Sequence, residues 1–143
     1  MPAWPVPQRL APRPPAARAA QLAADGIRTV VDRVLAWDLS GPAADRPDTD
    51  IAADLLDQLT AHARNLAARL ELDYRTLSPA SQSRPTATAV LGEASRRLDQ
   101  RPPVHTTRGV ARRAQNIARL VRALARAADA VRSETAAPQK GTR

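Results

Sequence analysis

Between Val110 and Val131, seven apolar residues (Val110, Ala114, Ile117, Val121, Leu124, Ala128 and Val131) follow one another at steps of 4, 3, 4, 3, 4 and 3. That spacing lines one side of an α-helix and does not suit a strand, whose faces alternate at every second residue. On a helical wheel at about 100° per residue, Arg108, Arg112, Arg119, Arg122 and Arg126 gather on the opposite side. The spacing predicts a long last helix, with an apolar seam on one side and guanidinium groups on the other. Thr106 or Thr107 is placed to cap it, and a small, polar tail follows Glu134.

The same periodicity recurs upstream. Ile27, Val30, Val31, Val34 and Leu35 mark a first helix that grows out of the alanine-rich run at Ala16 and ends near Leu39, before Ser40, Gly41 and Pro42. Gly26 is a candidate to kink it or delay its start. Ile51, Leu55, Leu59, His62, Leu66 and Leu70 sustain one face for more than five turns. This second helix is the expected centre of packing, with Asp48, Thr49 or Asp50 as its N-cap and Asp54 near the positive end of its dipole. Ala87, Val90, Leu91, Ala94 and Leu98 predict a third helix over residues 86 to 100, after a polar linker at 78 to 85 and before Pro102 and Pro103. The expectation is an all-α fold, a four-helix up-down bundle over residues 16–134. A disordered, proline-rich tail is expected at 1–15, where Trp4 has no core to join, and a disordered polar tail at 135–143.

Large apolar side chains are scarce. Leu, Ile and Val number 15, 3 and 9 and Phe is absent, which makes about 19% of residues, close to the composition of disordered chains. The 31 alanines favour helix but bury little surface, so a lean core or help from a partner is expected. With no cysteine there is no disulfide framework, thiolate metal site or cysteine nucleophile. No apolar stretch approaches the roughly 20 residues of a membrane span, and the early prolines leave no signal-peptide core, so a cytoplasmic location is expected.

The net charge of +8 is unevenly distributed. Residues 1 to 24 carry +3, residues 25 to 99 carry −3 and residues 100 to 143 carry +8. The excess of 21 Arg over a single Lys accompanies many Ala and Pro, all with GC-rich codons, and suggests a high-GC genome more than selection for guanidinium chemistry. The basic character resides in the last helix and its tail.

Catalytic candidates are few. His62 falls on the apolar face of the second helix, where a partly buried histidine hydrogen-bonded to Tyr74 or an arginine is expected more than a general base. His105, beside two prolines, reads as a surface residue. Asp45, Asp48, Asp50, Asp54 and Asp57 lack the glycine turn and closing glutamate of a calcium loop and read as helix-capping charge, able to pair with the arginine face within the chain or across a dimer. The five glycines, at 26, 41, 92, 109 and 141, form no phosphate loop. No catalytic residue, metal site or cofactor is expected.

Four stretches carry a family resemblance: IRTVVDRVLAWD at 27 to 38, IAADLLDQLTAHARNLAARL at 51 to 70, LGEASRRL at 91 to 98 and ARRAQNIARLVRALARA at 111 to 127. With their spacing they cover about residues 20 to 130, and the chain resembles a family of small actinobacterial natural-product biosynthesis proteins of unknown function. The resemblance implies an all-helical accessory factor. The chain departs from the family pattern at Ala127, Ala128, Asp129 and Ala130, where an aromatic or histidine-containing terminus is usual, so no ligand role carries over to that end.

Two functions follow as expectations. One is a non-enzymatic accessory protein that meets a protein partner, or a second copy of itself, through the arginine face or the seam. The other is a small DNA- or RNA-binding regulator with Arg108, Arg112, Arg119, Arg122 and Arg126 on phosphates. Few side chains on that face could read bases, and the two prolines break any helix-turn-helix, so nucleic-acid binding would be weak and salt-sensitive.

Overall fold

The computed structural model describes residues 15–41, 46–101 and 106–137, with side chains described from residue 23 onward. Four helices pack against one another: α1 (Pro15–Leu35), α2 (Thr49–Arg75), α3 (Arg84–Asp99) and α4 (Thr107–Ala136). The expected all-helical fold is present. Trp4, Asp45, His105 and most of both expected tails lie outside the described residues, although Thr135 and Ala136, assigned to the C-terminal tail, continue α4.

Contacts between helix ends give their directions. The hydroxyls of Thr49 and Thr107, at the starts of α2 and α4, are hydrogen-bonded, so these two helices run parallel. Gln115 reaches the C-terminal end of α1 at Val34 and Trp37, whereas Arg122, further along α4, meets Asp32, so α1 is antiparallel to α4. Glu134 meets the residues before α3 while Arg113 meets Gln100 after it, so α3 is antiparallel too. The result is the up-down order that short connections favour.

The bundle is flattened. Its largest interface joins the parallel pair α2 and α4, which would be diagonal neighbours in a square bundle, whereas α1 and α3 do not touch among the described residues. Buried alanines on both helices, Ala52 and Ala63 on α2 and Ala111, Ala114 and Ala118 on α4, remove the bulk that would keep their backbones apart. Around them, Leu59, Leu70, Ile117, Leu120, Leu124, Val34 and Val131 supply the large, fully buried side chains. Each contributes about 1.5–3 kcal/mol relative to exposure.

This arrangement gives the bundle two central helices where one was expected. α2 packs against all three other helices, as expected of a central helix, but so does α4, which meets α1 and α3 more extensively and whose buried residues include Ala111, Gln115, Ala118, Leu120 and Ala127 as well as the seam. Ala128, expected on the seam, is only half-buried. A seam of spacing 3 and 4 suits a helix with one neighbour, whereas three neighbours cover about two-thirds of the circumference.

Helix ends differ from expectation by a few residues, for local reasons. α1 stops at Leu35 rather than Leu39, because Gln115 captures carbonyls at its end and Asp38 turns the chain by accepting from the Ser40 amide (3.0 Å) and hydroxyl (2.6 Å). Gly26 lies inside the helix and does not delay it. α2 has Asp48 at its N-cap, but no side chain caps it. α3 begins earlier than expected, with Pro85 in its first turn, where a missing N–H costs nothing. In α4 the Thr106 hydroxyl accepts from the Gly109 amide at 3.0 Å, the expected cap.

Candidate functional site

Because α4 is enclosed on three sides, only one strip of it reaches solvent, and that strip holds Arg108, Arg112, Arg119, Arg122 and Arg126, all exposed. The structure thus brings the five predicted arginines together on one face. Arg122 is tied to Asp32 of α1 at 3.1 Å, with both side chains largely in solvent. Such a pair contributes about 0–1 kcal/mol and mainly orients the guanidinium. Arg108, Arg112, Arg119 and Arg126 have no hydrogen-bond or ion-pair partner among the described residues. From Arg108 to Arg126 the row runs for about 27 Å.

The other arginines nearby are structural, a distinction that composition does not make. Arg113 is half-buried and donates to the Gln100 side chain (3.0 Å) and the Arg97 carbonyl, near the end of α3. Burial, and secondarily the charge of Arg97, push its pKa below the ordinary arginine value. Arg97 in turn donates to the Asn116 carbonyl (3.2 Å) and to Glu93 (2.5 Å), which also receives Arg96 (2.6 Å). The Arg96 and Arg97 hydrogen bonds hold the Glu93 carboxyl below its usual range. The Arg113 and Arg97 contacts lock α3 to α4. Arg132 pairs with Asp129 along α4.

The expected pairing of the acidic cluster with the arginine face within the chain does not occur among the described residues. Asp48, Asp50, Asp54 and Asp57 are exposed at the start of α2, and the arginine face draws its acidic partner, Asp32, from α1. Since α2 packs on the buried side of α4, its own exposed side points away from the arginines. Among the described residues, no group of three or more His, Cys, Asp or Glu could hold a metal ion.

His62 and Tyr74 are not brought together. Twelve residues of one helix separate them by about 18 Å. His62 is half-buried at the edge of the core with no hydrogen bond among the described residues, and desolvation pushes its pKa below the ordinary value. Tyr74 instead belongs to the α2–α3 corner, hydrogen-bonded to Thr88 at 3.0 Å, with the Arg84 guanidinium 4.6 Å from its ring centroid. An open groove of about 600 Å³ runs between α2 and α3 from this corner, floored by Ala67, Leu91, Ala94 and Leu98. It shares no residue with the arginine face.

Two tertiary anchors carry no sequence motif. Gln115, buried among apolar neighbours, donates to the carbonyls of Val34 (3.2 Å), in the last turn of α1, and Trp37 (2.9 Å), just beyond it. Glu134 accepts from the Ser81 hydroxyl (2.6 Å) and from the amides of Gln82 (2.9 Å) and Ser83 (3.1 Å), placing a carboxylate at the start of α3. A polar residue within an apolar pattern is the one signal that could have marked Gln115.

Residues 25–133 match DUF6415, a family of unknown function. No curated protein and no solved structure matches the chain. No described helix is long and apolar enough to cross a membrane.

Proposed function

We propose, for a chain that belongs to the DUF6415 family of unknown function, a non-enzymatic interaction role in which the arginine face of α4 receives an acidic protein surface in the cytoplasm. The observation that carries this is the row of four exposed guanidinium groups without partners among the described residues, Arg108, Arg112, Arg119 and Arg126, on a helix held by the core along its other sides. Such a row is pre-organised, because the helix that bears it is already packed against three others. Planar guanidiniums suit bidentate pairing with carboxylates, and a rim of charge would set orientation and association rate more than affinity. The resemblance of the four stretches to actinobacterial natural-product biosynthesis proteins supports an accessory role in that setting.

The test is capture from the native host with tagged wild-type protein and with a variant carrying Arg108→Glu, Arg112→Glu, Arg119→Glu and Arg126→Glu. A partner retained by the wild type and lost by the variant supports the role. Equal recovery with both proteins sinks it. A second reading, contact with nucleic-acid phosphates, is favoured by the length of the row, about 27 Å, which matches several phosphate steps. A gel shift on random duplex DNA at about 50 mM salt decides it, since contacts of this kind are strongest at low salt.

A further inference from the structure

A second face is unpartnered, on α2. Among the described residues, the large hydrophobics left exposed are Ile51 (43%) and Leu72 (62%). They stand at the two ends of a row, Ile51, Asp54, Gln58, Ala61, Asn65, Ala68 and Leu72, spaced 3, 4, 3, 4, 3 and 4 and exposed throughout. This is the heptad spacing of a helix that meets another helix, drawn on the side of α2 opposite its buried residues Ala52, Leu55, Leu59, Ala63 and Leu70. Among the described residues nothing covers it.

The charges beside the row say what fits it. Its N-terminal half carries Asp50, Asp54 and Asp57 and its C-terminal half Arg64 and Arg69, all exposed and none with a partner among the described residues, together with Glu71, which is paired with Arg75 of the same helix. A parallel copy would set like charges against like. A copy turned by a two-fold axis near Ala61 sets opposite charges together at two positions, Asp57 against Arg64 of the second copy and Asp54 against its Arg69, with Gln58 facing its Asn65 and Ile51 its Leu72. Asp50 falls nearest its Glu71, whose charge Arg75 already offsets. Ala61 lies at the axis, where a small side chain lets the two backbones approach.

We propose that α2 pairs with α2 of a second copy of this chain, antiparallel about a two-fold axis at Ala61, to form a homodimer. The face is complementary to itself, so the contact closes at two chains. Pairing α2 with the arginine face of another copy would instead be head-to-tail and would continue into longer assemblies. The dimer buries the two exposed apolar side chains of each copy and leaves both α4 arginine faces open.

Light scattering on the eluting full-length chain is expected to give twice the 15.4 kDa chain mass. Ile51→Glu and Leu72→Glu are each expected to halve that mass with the far-UV circular dichroism unchanged, since both sites are exposed. Asp57→Arg should weaken the dimer, and Asp57→Arg combined with Arg64→Asp should restore it. The chain has no cysteine, so Ala61→Cys should give a covalent dimer on mild oxidation, whereas Ala130→Cys, exposed on α4, should not. A monomeric wild type, a dimer that survives both glutamate variants, or cross-linking through Ala130→Cys in place of Ala61→Cys overturns the proposal.

Discussion

The Glu134 carboxylate accepts the Ser81 hydroxyl at 2.6 Å, so that the last turns of α4 fasten the entry to α3. The Ser81 hydroxyl, with Ser83 and the neighbouring amides, holds the Glu134 pKa down at about 2, against an ordinary 4.5. An unfolded chain therefore binds a proton at this site before the folded one does. The stabilisation is complete above about pH 4.5 and is lost as pH falls through about 2. Glu134→Gln should flatten this part of the acid-unfolding profile and lower Tm at neutral pH. An unchanged acid slope in the variant would show that the carboxylate does not fasten the corner.

Gln115 fastens the end of α1 from a distance, its amide donating to the carbonyl of Trp37, just past the helix, and to that of Val34, which also accepts from the Trp37 amide. Gln115→Leu keeps the volume but strands the Trp37 carbonyl, while that of Val34 retains the Trp37 amide, and is expected to cost about 1–3 kcal/mol. Urea unfolding should show a lower midpoint at constant m-value.

Gly26 sits within α1, with no positive φ to require glycine and no atom within 4 Å of the point where a Cβ would stand. Gly26→Ala should stabilise the protein by about 0.5–1 kcal/mol by reducing the freedom of the unfolded chain. The same urea titration checks it, with the midpoint moving upward.

His62 titrates in a different window. Its folded pKa lies below the ordinary 6.5 because partial burial disfavours the charged ring. Stability is therefore full above about pH 6.5 and falls as the pH drops through the folded value, where protonation charges a half-buried side chain. The histidine NMR titration should show a midpoint below 6.5, and His62→Gln should remove the slope between that midpoint and 6.5. A midpoint at or above 6.5 would place the ring in solvent.

The four untied arginines of α4 should matter little to stability. Arg119→Ala is expected to change it by less than about 0.5 kcal/mol, as for exposed side chains that touch no other element. Arg113→Ala, which severs the contacts with Gln100 and the Arg97 carbonyl, should be clearly more destabilising. Equal thermal shifts for the two variants would erase the distinction between interaction and structural arginines.

Much of this was legible in the chain because helices announce themselves locally. The 3-and-4 spacing of Val110, Ile117, Val121, Leu124 and Val131 follows from the pitch of one helix, and all five are buried. The wheel that collects Arg108, Arg112, Arg119, Arg122 and Arg126 uses the same pitch, and the five are exposed together. Periodicity identifies a face but not what lies against it. It therefore could not foresee that α4 has three neighbours, that Leu120 and Ala127 are buried as well, or that His62 and Tyr74 stand too far apart to meet.

Local chemistry along the chain was enough for four helices, the sidedness of each and their ends to within a few residues, because hydrophobic period, capping hydroxyls and prolines act over a short range. Packing between the helices set how far α4 shares the centre with α2, which arginines are tied and which are not, and where Gln115 and Glu134 reach. Those outcomes depend on groups from 13 to 90 positions apart, such as Arg113 and Gln100, Glu134 and the Ser81 turn, or Arg122 and Asp32. Their partners are selected by the approach of alanine-lined backbones, which no local pattern encodes.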